Sequence, residues 1–130
     1  MSRTVPLVQP DLMRDAAERA IRYLSALDAR PVRPDPAAVA ALDRLRVPLA
    51  AGPRDPADVL RLLDEAGSPA TMGMGGARFF GFVIGGALPV AVAANWMASA
   101  WDQNTGLWEP TPATSTIAKF VCFSRSLPVR

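Results

Sequence analysis

The sequence predicts a mainly α-helical fold with one short extended segment, and three observations carry that reading. The pairs Asp35-Pro36 and Asp55-Pro56 give two helices the same start signal. A carboxylate there can accept from the free N–H groups of the first turn, and proline suits the first helical position. Apolar residues recur at helical spacing along the first 66 residues, for instance Leu12, Ala16, Ala20, Leu24 and Leu27. The run RFFGFVI, bounded by glycines, has the aromatic and β-branched density of a strand.

Taken in order, the first helix starts near Asp11, its presumptive cap, and carries Arg14, Glu18, Arg19 and Arg22 mostly away from its apolar stripe. ARPVRPDP breaks it with three prolines. A short second helix follows Asp35, VPLAAGPR forms a loop, and a third helix runs from Asp55 until Gly67 closes it. Each of the three has one apolar stripe, as helices lying on a surface do. Gly73, Gly75 and Gly76 then give a mobile, closely approachable backbone before the extended run. Leu88 to Gln103 reads as a helix with Pro89 in its first turn and small alanine faces; NTGLWEPTPA is a connector, and Thr111 caps a last helix entered at Pro112. There is no internal repeat.

Every Trp and Phe lies at or beyond Phe79, and Tyr23 is the one aromatic before it. The first half therefore lacks the large groups of a self-sufficient core and packs against something else. Half the residues are hydrophobic, which excludes a disordered tail. The net charge of +2 divides unevenly: residues 1–109 hold 11 Arg against all 12 acids, while residues 110–130 hold Lys119, Arg125 and Arg130 with no acid. Neither part has a dense basic patch with interleaved aromatics, so nucleic acid is not an expected partner. The N-terminus has no apolar core of a secretory signal, and a single Cys excludes an internal disulfide; the expected setting is the cytoplasm.

The absence of His and the scatter of acids exclude the common metal sites and triad hydrolases. Cys122 has no neighbouring base, and Lys119 reads as a solvated lysine rather than a Schiff-base former. The glycines of GMGGARFFGFVIGG fit neither dinucleotide nor P-loop signatures. Residues 79–101 carry no charge, which is long enough for a membrane span. Gly85, Gly86, Pro89, Asn95 and Ser99 argue instead for a strand and a helix buried in a core.

From Arg78 to Ala113 the chain resembles the group II pyridoxal-phosphate-dependent decarboxylases, which include the aromatic-amino-acid and glutamate decarboxylases. The resemblance rests on Gly76-Ala77, the pair Phe79-Phe80, Gly81-Phe82, the turn from Gly85-Gly86 to Pro89, the apolar helix to Trp101, and Thr111-Pro112-Ala113. It extends weakly back through DPADVLRLLDEAGSPAT and covers roughly residues 10–117. It implies the N-terminal helical arm of a fold-type I enzyme, incomplete without a large α/β domain. Such arms wrap around a partner subunit, a homodimer mate or an intact paralogue. The resemblance also implies that Phe80, Phe82, Val83, Ile84 and Gly85 line the pocket for an amino-acid substrate. Asn104, Gly106 and Leu107 would reach toward the neighbouring subunit's pocket. Filling a core remains the alternative for each of them.

In that family the cofactor accepts the electrons released as the carboxylate leaves, a carboxy-lyase reaction of amino-acid metabolism. The Schiff-base lysine, the ring-stacking residue and the phosphate ligands belong to the large domain, so neither catalytic nor cofactor-binding residues are expected in residues 1–130. After Ile117 the match stops: AKFVCFSRSLPVR holds the only Lys, the only Cys and two Phe with no acid. The expectation is an arm over residues 1–117 and a tail over 118–130 that is out of frame or otherwise divergent, a fragment of a decarboxylase. A non-catalytic helical module that binds a partner, and a single-span membrane protein, are the alternatives.

Overall fold

A computed structural model of the chain describes residues 8–48, 51–84, 88–106 and 109–124, the last five without their side chains. It is mainly helical and divides into two compact units, Met1–Gly86 and Ala87–Arg130.

In the first unit α1 spans Pro10–Ser25. Its cap position is Gln9 rather than Asp11, because Pro10 takes the first helical place that its fixed φ favours. Asp11 falls inside the first turn and pairs with Arg14 at 2.8 Å. A turn through residues 26–29 follows, closed by bonds from Ala29 and Arg30 N–H to Ala26 carbonyl. Helix α2, Pro36–Ala40, tightens into a 3-10 turn, Ala41–Leu45. Helix α3 covers Pro56–Leu62. Both proline-led starts form as the sequence predicts: Asp35 accepts from Ala37 N–H at 2.7 Å and Asp55 from Ala57 N–H at 2.8 Å.

Gly67 does not close α3. The helix widens into a π turn, Leu63–Gly67, and Gly67 keeps right-handed angles as the chain passes into a 3-10 turn at Ser68–Ala70. Proline at 69 lacks an N–H, and the Ser68 hydroxyl donates to the Asp64 carboxylate across the turn at 2.8 Å. Gly73 and Gly76 serve for close approach: Gly73 N–H donates to Val32 carbonyl at 2.9 Å, and a Cβ on Gly76 would stand 3.4 Å from the carbonyl oxygens of Gly73 and Leu27.

The extended segment is a second correction. Within residues 78–84, Arg78, Phe82 and Val83 lie in turns and the rest is irregular, and no strand occurs among the described residues. A strand needs a neighbour for its N–H and C=O groups, and the described chain offers none. The backbone instead bends at Phe82 and Val83, whose φ values of 57° and 56° are left-handed.

In the second unit α4 spans Pro89–Trp101, with Leu88 extended before it and Asp102 left-handed after it. Helix α5, Pro112–Ser124, runs unbroken past Ile117, where the family-like pattern stops. No helix among the described residues is long and apolar enough to cross a membrane. Helix α4, at about 1.5 Å per residue, reaches only about two thirds of a hydrocarbon core.

Expected core burial of the uncharged run does not occur within this chain. Phe80, Phe82, Val83, Leu88, Val90 and Met97 are more than half exposed, and Ala66 is the one buried hydrophobic side chain among the described residues. The reason lies in layering: helices bury a stripe only when a second layer covers it. The exposed Met13, Ile21, Val59 and Leu63 show the same surface-lying character in the first unit.

Candidate functional site

The residues assigned to a substrate pocket fall on both units. In the first unit Phe80 is 93% exposed, Phe82 and Val83 are exposed beside it, and Ile84 is about half exposed. Phe82 turns back toward Phe79, with ring centroids 6.2 Å apart at a 36° tilt. Ile84 N–H donates to Gly81 carbonyl at 3.3 Å and closes the bend. Two bulky residues in left-handed geometry, one of them β-branched, are unusual, because their Cβ atoms crowd the following carbonyl. The bend thus presents Phe80, Phe82 and Val83 outward as an apolar knuckle. Gly85 lies outside the described residues.

In the second unit Asn104 and Gly106 form a tight polar turn. Asn104 Oδ1 accepts from Gly106 N–H at 2.9 Å, and its carbonyl accepts from the Thr111 hydroxyl. The Ser115 hydroxyl donates to Thr105 carbonyl at 2.9 Å, so the 104–106 turn is tied to the first turn of α5. Thr111 and Ser115 are buried despite being polar, which fits side chains that spend their hydrogen bonds on backbone carbonyls. Leu107 lies outside the described residues. Lys119 lies exposed on α5. No group of three or more potential metal ligands occurs among the described residues.

Sequence reasoning missed a constellation in the first unit. Arg19 on α1 bridges Asp15 at 2.9 Å and Asp64 at 2.8 Å; Arg22 adds a longer bond to the same Asp64 oxygen at 3.3 Å. Asp64 sits on the π turn, and the Ser68 hydroxyl and the Arg19 guanidinium hold its carboxyl below the usual range. The bonds to Asp15 and Asp64 hold Arg19 above its ordinary value. Beside this cluster Arg30 covers the Tyr23 ring at 4.6 Å and donates to Ser68 carbonyl at 2.7 Å, while the Tyr23 hydroxyl pairs with Thr71 at 2.8 Å. Arg19, Arg22, Tyr23, Arg30, Arg33 and Asp64 line an open groove of about 430 Å³. Only the Asp15–Arg19 pair, four apart on a helix, was legible beforehand. The partners 45 residues away carry no local signal.

Comparison with protein-family models, with curated proteins and with solved structures finds no match for this chain.

Proposed function

We propose that this chain is a helical arm of a pyridoxal-phosphate-dependent amino-acid decarboxylase, non-catalytic by itself and built to cover a second subunit. The observation that carries the reading is the exposed apolar knuckle at Phe80, Phe82 and Val83, within the stretch that resembles that family, on a chain with one buried hydrophobic side chain among its described residues. An apolar surface of that kind is the mark of an interaction site. In this reading the knuckle and the 104–107 turn meet the substrate pocket only once a large domain and a partner subunit are present.

The residues present do not fit pyridoxal phosphate as a resident group. The chain has no His to stack on the ring, and its one Lys lies exposed on α5. No chemical step is therefore assigned to this chain. Purified protein incubated with pyridoxal phosphate and then dialysed is expected to retain no aldimine absorbance band, and with cofactor and amino acids present it is expected to release no more carbon dioxide than a protein-free control. Either signal sinks the non-catalytic half of the proposal. Analytical ultracentrifugation is expected to show concentration-dependent association; a monomer with a sharp, cooperative thermal transition sinks the arm.

A second reading is favoured by α4, which exposes Leu88, Val90 and Met97 and carries no charge: a partner-binding module unrelated to decarboxylation. Co-expression with the large domain of a decarboxylase separates the two, since only the arm reading expects the domain to be retained with the tagged chain.

A further inference from the structure

The groove beside α1 is walled by charged side chains, and none of its lining residues belongs to the apolar knuckle. Four arginines line it, Arg19, Arg22, Arg30 and Arg33, against two carboxylates, Asp35 and Asp64. Asp35 already caps α2, and Asp64 is occupied by Ser68, Arg19 and Arg22. Even when Asp15, the other partner of Arg19, is counted, cationic charge exceeds anionic charge. The donors are likewise not exhausted. Arg33 is exposed and makes no hydrogen bond or ion pair among the described residues. Arg30 uses a single nitrogen, Nη2, for its side-chain hydrogen bonds, and its plane is held by the Tyr23 ring and two backbone carbonyls. Arg22 is 63% exposed and commits one nitrogen to Asp64.

We infer that this groove binds a small oxyanion, a phosphate monoester, with Arg30 and Arg33 as its principal donors and Arg22 at its edge. A guanidinium offers paired N–H groups that match phosphate oxygens, and one held flat loses little freedom on binding. Asp64 is a positioning residue: it fixes Arg19 and Arg22 along the wall without facing the ligand as a donor. Its place on a π turn suits this, because the widened turn swings its carboxylate toward α1. The groove volume falls within the range of small-molecule sites. This inference does not depend on the decarboxylase reading, and either can fail alone.

The test is a titration of the full chain with inorganic phosphate, followed by the arginine side-chain Nε–H signals in NMR spectra at constant ionic strength, with acetate as a parallel arm. Saturable shifts at Arg30 and Arg33 are expected, with a Kd of about 1 mM, a strength open to so small a ligand. Acetate should bind more weakly; equal or tighter binding of acetate overturns the assignment to phosphate. Arg33→Ala should weaken phosphate about tenfold, the scale of one charge-assisted bond, and Arg33→Lys should restore part of it. Arg54→Ala, on a different groove, should change nothing; an equal loss there shows a general charge effect and overturns the site. Shifts that stay linear throughout the wild-type titration overturn it as well, whatever the variants do.

Discussion

Each unit is tied internally, and the two use opposite strategies. In the first, arginines reach across long stretches of chain: Arg19 to Asp64, Arg30 to Ser68, and Arg78 to the carbonyls of Asp28 and Arg30, spans of 38 to 50 residues. In the second, small hydroxyls act nearby: Thr111 to Asn104 and Ser115 to Thr105, spans of 7 and 10 residues. Neither unit has an aliphatic interior of its own among the described residues. The difference teaches that a chain short of buried apolar area can still define its turns. In the first unit charged side chains fix distant segments, whereas in the second the hydroxyls of Thr111 and Ser115 set only local geometry.

Removing the long-range tie should have the largest effect. Arg30→Ala deletes a charged donor to Ser68 carbonyl and uncovers Tyr23, and is expected to cost the first unit about 2–3 kcal/mol. Urea unfolding followed by the NMR signals of the Tyr23 ring would measure it; an unchanged midpoint would show that the carbonyls are as well satisfied by water.

Asp64→Asn comes next, at about 1–2 kcal/mol, reduced because Arg22 and part of the carboxylate remain open to solvent. The same carboxylate sets a pH dependence. Its value lies below that of an unfolded aspartate, so its contribution is complete above the ordinary carboxylate value near ~3.9 and disappears as pH falls through the lower folded value. Glu65, lowered by Arg44, acts in the same direction. Stability of wild type should therefore fall more steeply below about pH 4 than that of Asp64→Asn, with the two curves converging in acid.

Thr111→Val should have the smallest effect, about 1 kcal/mol and confined to the second unit. Amide exchange at Thr105 and Gly106 should accelerate while the first unit's amides keep their rates. Faster exchange in both units would break the contrast between local and long-range ties.

Particular elements show how far the sequence could be read. Asp35-Pro36 and Asp55-Pro56 specified their helix starts because a cap and a proline act within one turn. Helix α4 was legible from Pro89 to within two residues of its end for a similar reason. RFFGFVI was misread because strand propensity has no outcome without a pairing edge. Gly67 was misread because the chain stays right-handed there and passes directly into the Ser68–Ala70 turn. Of the proposed pocket residues, Phe80, Phe82 and Val83 lie together on one bend, while Asn104 and Gly106 form a turn of the other unit.

By itself, then, the sequence determined the mainly helical class, the proline-led starts, the surface-lying stripes and the absence of His. All of these depend on residue type or on neighbours within about one turn. Only the tertiary structure decided that Arg19, Arg22, Arg30 and Arg33 share one groove with Asp64, and that the uncharged run bends outward instead of being buried. Both outcomes depend on which distant segments meet, and side-chain charge and length leave that meeting open until the chain has folded.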